Sequence, residues 1–182
     1  MAKLISKTYG EALYEVAAET GREEEFLTEL GEVVKVMEDN ADFGRLILHP
    51  SIPKQEKLRI TGEVFRGRLS DEMVGFLLTL VEKERFSALR AIADYYTQRY
   101  KEAKGIGVAY VTTPGPLGEA GRASVEAKLL ETTKYRQMEM HYETDPDLIG
   151  GIIIRIGDRV ADGSVRNKLN ELKQELLQVQ LG

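Results

Sequence analysis

Three places in this sequence carry residue types at spacings that could do chemistry. Gly115, Gly118 and Gly121 form a G-x-x-G-x-x-G run between a strand-like and a helical segment. Backbone N–H groups of such a turn can cradle a phosphate at a helix start. The spacing is not that of a dinucleotide fingerprint, no P-loop lysine follows, and Pro116 removes one donor. A loop and a helix start account for it. Residues 157–164, Gly-Asp-Arg-Val-Ala-Asp-Gly-Ser, imitate a P-loop with five intervening residues and no Lys before Ser164. A hairpin, an Asp162-Gly163 turn and an N-capping Ser164 explain the same letters. The third place is the carboxylate set Asp145, Asp147, Asp158 and Asp162, a candidate for Mg²⁺ binding or phosphoryl transfer. Hard cations need several oxygens converging on one point. These residues flank turns at opposite ends of expected strands, and nothing in their spacing makes them converge.

The remaining inventory excludes more than it offers. With no Cys there is no disulfide, thiol nucleophile or thiolate zinc site. His49 and His141 lie too far apart in sequence for a helical metal pair and read as single solvated or hydrogen-bonded residues. No Ser stands in a G-x-S-x-G elbow. No catalytic residue, cofactor or metal is therefore expected. A small nucleotide-binding enzyme using the Gly115–Gly121 loop remains as the alternative.

The elements that would position these residues come in two sets. Among 182 residues, 42% are hydrophobic and 30% charged, enough to build a core. From Leu4 to about Lys104 the apolar spacing is helical, with stops at Gly21, Asp39-Asn40, Pro50 and the Ser70 cap. Six helices are expected, near 4–20, 23–37, 41–48, 53–65, 70–81 and 87–103. The first should bury one stripe made of Ile5, Tyr9, Ala12, Leu13, Val16 and Ala17. After Gly105 the period shortens: Val108–Thr112, Gln137–Tyr142, Leu148–Ile156 and Arg159–Ala161 read as strands. Helices are expected at Gly118–Thr132 and Val165–Val179. The fold class is mixed, an N-terminal all-α six-helix bundle (1–104) plus a smaller C-terminal α/β domain (105–182), with a hinge near 104–107.

Net charge is −5, divided −3 and −2 between these halves, so neither is a basic nucleic-acid module. The longest apolar-rich runs are about half the roughly 20 residues a spanning helix needs. The expectation is a soluble intracellular chain that meets a membrane only through a partner. Two features suggest partners. Val165, Leu169, Leu172, Leu176 and Val179 make a heptad-like seam that must bury itself on its own domain or on another helix. The fifth helix is apolar over much of its circumference through Met73, Val74, Phe76, Leu77, Leu78, Leu80 and Val81, so it should pack on two sides.

Several stretches together resemble the delta subunit of F-type ATP synthases, the oligomycin-sensitivity-conferring protein family. The most specific spans Asp145, Leu148, Gly150, Gly151, Ile154, Arg155 and Gly157, continuing through Asp162, Gly163 and Ser164 into the closing helix. Lys7–Ala17 is similar to the family's opening helix, with Gly10 where Ala is commoner, and Phe76–Phe86 resembles its fifth-helix region. The resemblance implies a non-catalytic stator subunit that holds the alpha/beta head still against rotor torque during proton-driven ATP synthesis. It implies that the first and fifth helices bind the N-terminal helices of alpha subunits, here through Ile5, Tyr9, Ala12, Val16, Met73, Leu77 and Leu80. It further implies that the C-terminal domain engages the C-terminal end of the b-subunit stalk, with Val165, Leu169, Leu172 and Leu176 as candidates. The place implied is the cytoplasmic face of a bacterial cell membrane, peripheral and reached through the complex.

Overall fold

Helical periodicity becomes helix throughout the first hundred residues: α1 (Ala2–Thr20), α2 (Glu23–Asp39), α3 (Ala41–Leu48), α4 (Lys54–Phe65), α5 (Asp71–Glu82) and α6 (Leu89–Lys104). A 3-10 turn, Phe86–Ala88, precedes α6. This computed structural model describes residues 2–169. They divide into two compact units between Lys101 and Glu102.

Helix ends follow local chemistry. Gly21 stops α1 at φ +66°, with Arg22 N donating to Ala17 O at 2.9 Å and Gly21 N to Ala18 O at 3.3 Å. That pair of bonds is a Schellman closure. The same closure ends α5, where Arg85 N reaches Leu80 O at 2.8 Å, but its left-handed residue is Glu84 at φ +58°. Three glutamates, Glu23 to Glu25, occupy the first turn of α2, where the helix dipole favours negative charge.

The N-terminal core is built around Phe26, Leu30, Met73, Leu77, Leu80 and Ile92, with Tyr96 buried among them. The Tyr96 hydroxyl donates to Glu23 O at 2.9 Å, which satisfies its buried polar end. Burial pushes this phenol well above its ordinary range. On α1 the buried face is Ser6, Gly10, Leu13, Tyr14 and Ala17. The single stripe expected from the sequence therefore splits. Leu13 and Ala17 turn inward, Ile5 and Tyr9 are half-buried, and Ala12 and Val16 are exposed. The reason is the approach of α6: a Cβ on Gly10 would lie 2.5 Å from Tyr95 Cδ1, so glycine lets the helices close there.

In the second unit β1 (Ile106–Thr113), α7 (Glu119–Thr132), β2 (Gln137–Thr144), β3 (Ile153–Ile156) and β4 (Arg159–Asp162) follow in order. They form a four-stranded sheet ordered β2-β1-β3-β4. β1 pairs parallel with β2 over eight residues and antiparallel with β3, and β3–β4 is a hairpin. Ala109 of β1, Met138 of β2 and Leu129 of α7 form its small core. The expected strand at Leu148–Ile156 is shorter than its β-branched letters suggest. Residues 145–152 are turns and bends, because the Asp145-Pro146-Asp147 turn and the Gly150-Gly151 pair interrupt the ladder. The closing helix begins at Val165, and its continuation past Leu169 lies outside the described residues.

Glu11 ties α1 to α6, accepting from the Tyr95 hydroxyl at 2.7 Å and from Arg99 Nε at 3.1 Å. These two donors, Tyr95 first, hold its carboxyl below the usual carboxylate range. A carboxyl depressed on folding stabilises the fold above its unfolded pKa, near about 4.3, and loses that contribution as pH falls through its folded value. Glu11→Gln should therefore be less stable than the parent at pH 7, with the gap closing below about pH 4. Urea denaturation at a series of pH values checks this, and a gap independent of pH would contradict it.

Candidate partner-binding surfaces

The α1–α5 surface of the N-terminal unit is built from the flanks left after the core is filled. On α1, Ile5, Tyr9, Ala12 and Val16 recur at i, i+4, i+7 and i+11, a second apolar stripe beside the buried one. Val16 is 41% exposed and Leu4, at the other end, 69%. Across from this stripe α5 contributes Phe76, half-buried, whose ring meets that of Tyr9 edge-on at 6.5 Å between centroids. Gly75 and Thr79 lie exposed beside Phe76, and a Cβ on Gly75 would meet nothing within 4 Å. The result is an apolar strip floored by two aromatic rings and bordered by small residues, the kind of surface that receives a helix. At one rim Glu72 pairs with Arg22 at 3.1 Å. Its own backbone N–H first, and then Arg22, hold the Glu72 carboxyl below the usual range.

Three residues expected on this surface lie elsewhere. Met73, Leu77 and Leu80 are fully buried and form the core side of α5. A partner cannot touch them while the bundle is closed. The reason is rotational: they occupy i, i+4 and i+7 of the face turned to Phe26, Leu30 and Ile92, whereas Phe76 sits on the flank. Phe76 was read only as part of the apolar circumference of the fifth helix, and Gly75 and Thr79 beside it were passed over. The glycine and threonine breaking the apolar circumference were the available signal.

Glu29 sets the position of α5. This carboxylate from α2 is buried, accepts from Ser70 N at 2.5 Å and Ser70 Oγ at 2.7 Å, and so stands at the positive end of α5. Ser70 in turn accepts from Met73 N at 3.3 Å as the helix N-cap.

In the C-terminal unit the glycine- and aspartate-rich segment assembles the start of the closing helix. Ser164 is buried and its Oγ accepts from Asn167 N at 3.2 Å, while Asp162 Oδ1 accepts from Ser164 N at 2.9 Å. The two Ser164 groups hold the Asp162 carboxyl below its ordinary range. Gly163 N donates to Ile152 O and Val165 N to Gly150 O, at 2.9 and 3.0 Å. Gly151 has φ +91°, and a Cβ there would run into Gly163 O and Ser164 Cα. Arg166 Nη2 reaches Asp147 O, and Asp145 Oδ1 accepts from Asp147 N. Leu148 is buried, and Ile154 packs against the small core. Arg155 lies over the Tyr110 ring at 4.6 Å, and Gly157 makes the hairpin turn at φ +55°. This segment thus docks one loop on another. The Asp145 and Asp162 carboxylates each accept a backbone N–H within a local turn, and among the described residues no three His, Asp or Glu side chains gather as a metal would need. Gly118 is the N-cap of α7, and Gly121 sits beneath the Leu117 side chain. Val165 and Leu169 are 38% and 57% exposed, whereas Leu172 and Leu176 lie outside the described residues.

Comparison with known proteins decides the family. The profile described as ATP synthase delta (OSCP) subunit matches residues 5–176. The chain belongs to this family. It is 43% identical over its full length to the ATP synthase subunit delta of Lachnoclostridium phytofermentans, covering all of both chains. It is 33% identical to that of Brevibacillus brevis, over 96% of this chain and 99% of the relative. Its fold matches a chain in the Toxoplasma gondii mitochondrial ATP synthase hexamer with a TM-score of 0.68, at 23% identity, covering 94% of this chain and 97% of that one. As a member of the delta (OSCP) family the chain is a structural subunit of the ATP synthase peripheral stalk, not a catalyst. Among the described residues no helix is long and apolar enough to cross a membrane.

Two substitutions probe the supports of these surfaces. Glu29→Ala strips α5 of its anchor and should cost about 1.5–3 kcal/mol of unfolding free energy, the usual worth of hydrogen bonds to a charged group. Gly151→Ala combines a left-handed backbone with a backbone collision and should cost about 2 kcal/mol or more. The second loss should appear as faster amide exchange in β3 and β4, with α1–α5 unchanged.

Proposed function

We propose that this chain is the clamp of the stator, gripping the catalytic head with its N-terminal unit and the b-subunit stalk with residues 105–182. The observation that carries this reading is the partly exposed apolar stripe Ile5–Tyr9–Ala12–Val16 running beside Phe76 on α5. An amphipathic helix from the N-terminus of an alpha subunit supplies a matching apolar face. A clamp under torque must release slowly, and a desolvated aromatic floor with a polar rim favours a slow off-rate. Its place is the cytoplasmic face of the cell membrane, held there through the complex. Torque enters as rotation of the central stalk, and the clamp resists it without performing a reaction.

The test titrates the full chain with a peptide from the N-terminus of a cognate alpha subunit. Binding should be saturable, with a gain in peptide helicity by circular dichroism. Val16→Glu or Ala12→Glu, both at exposed positions, should weaken binding about tenfold or more, while Lys35→Glu on α2 should leave it unchanged. No saturation at about 100 μM peptide, or equal weakening by all three substitutions, would remove the head-binding assignment.

A further inference from the structure

Where α3 ends, α4 begins and α5 ends, a cavity of about 590 Å³ opens in the N-terminal unit. Its floor is apolar: Ile47 and Leu48 of α3, Ile52 of the α3–α4 loop, Val81 of α5, and Phe86. Ile47, Val81 and Phe86 belong to the core, whereas Leu48 is 51% exposed. The loop is set before anything enters. Pro50 and Pro53 fix their own φ angles. His49 turns the chain between them, its Nδ1 accepting from Ser51 N at 3.2 Å and its carbonyl from Ile52 N at 3.4 Å. The cavity shares no residue with the α1–α5 strip.

Two walls of the cavity carry opposite charge. Lys54 and Lys57, three residues apart on one face of α4, line the first wall. They stand at the start of the helix, where its dipole disfavours cations. Glu56, the acidic residue of that turn, is engaged elsewhere: its two oxygens accept from Arg59 at 3.0 and 2.6 Å. Among the described residues neither lysine has an ion-pair partner. Glu84 lines the other wall, just past the end of α5, and it too is unpaired among the described residues. Its backbone is left-handed, at φ +58°, a place that glycine usually takes. Glycine would close the helix with less strain, and glutamate puts a carboxylate on the wall instead. Two local rules are thus broken around one cavity, and such breaks gather at functional sites.

An uncompensated pair of ammonium groups beside an apolar floor matches a ligand with one anionic head and an apolar body. The head is drawn to the α4 wall and repelled by Glu84 on the α5 wall, so such a ligand has a single orientation. The volume is that of an ordinary small-molecule site, roughly 300–1,000 Å³. We propose that this cavity binds a small amphiphilic anion of the medium-chain carboxylate class, with its carboxylate on Lys54 and Lys57 and its chain over Leu48 and Ile52. Bound there, the chain covers the exposed Leu48 and ties the α3–α4 loop to the end of α5. The site stands whether or not the head- and stalk-binding assignments hold.

Titrating the nitrogen-15-labelled full chain with decanoate, kept below its micelle concentration, tests this through backbone amide shifts. The amides of Leu48, Ile52, Lys54 and Phe86 should move together and approach saturation by about 5 mM. Lys54→Gln combined with Lys57→Gln keeps most of each stem and removes the charges. That double variant should raise Kd about tenfold or more, while Lys35→Gln on α2 leaves it unchanged. Decanol, which lacks the charge, and acetate, which lacks the chain, should each bind about tenfold more weakly or worse. The proposal is overturned by a lack of saturation, by equal affinity for decanol or acetate, by shifts centred on Tyr9 and Phe76, or by unchanged affinity in the double variant. Concentration-dependent shifts of the same amides in the ligand-free chain would also overturn it, since a second copy would then fill the cavity.

Discussion

Burial of α5 is the constraint on which the N-terminal unit depends. This helix offers more apolar surface than one stripe, and the bundle takes most of it: Met73, Val74, Leu77, Leu80 and Val81 are all buried. Full burial of a side chain of this size is worth about 1.5–3 kcal/mol, so the core face is not available for exchange with a partner. What α5 can offer is its flank, where Phe76 meets Tyr9. The buried carboxylate of Glu29 sets the helix in place at its N-terminal end, and the Glu84 closure ends it. The exposed flank is therefore a by-product of packing. The surface that remains is determined by the rotation the core requires.

The C-terminal unit solves a different problem with a much smaller core. Here loop docking does what bulk apolar burial does in the bundle. Gly151 permits a contact that no side chain would allow, Ser164 is buried as a cap, and the Asp145 and Asp162 carboxylates close local turns. Residues that could have been read as phosphate or metal chemistry are the joints of a turn. Their aspartates look catalytic in sequence because capping and coordination draw on the same short, acidic side chains.

Most of the fold was legible because helix periodicity and punctuation agree. Gly21, Asn40, Pro53 and Ser70 stand at the boundaries where the structure places helix ends. The two helical misreadings share one cause: one-dimensional patterns do not carry rotation about an axis. The apolar letters of α1 merged two stripes, because Gly10 looks neutral in sequence yet marks where Tyr95 presses closest. Met73, Leu77 and Leu80 were placed on a partner surface because a helix apolar on several sides does not say which side the core takes. The strand expected from Leu148 shrank to Ile153–Ile156 because β-branched letters alone do not reveal a paired glycine turn. The segment from Asp145 to Ser164 was recognisable as a unit, but its purpose became visible only through its hydrogen bonds.

The order of the sheet bears on how this chain carries a load. Strand β1 follows α6 after a single residue, Gly105, and lies between β2 and β3. It runs parallel to β2 in an eight-residue ladder. Tension drawn along β1 against β2 acts across many interstrand bonds at once, as shear, so they resist together. The same pull on the terminal β3–β4 hairpin would peel it bond by bond, like a zipper. The strand nearest the bundle in sequence is thus also the one whose bonds are arranged to yield last.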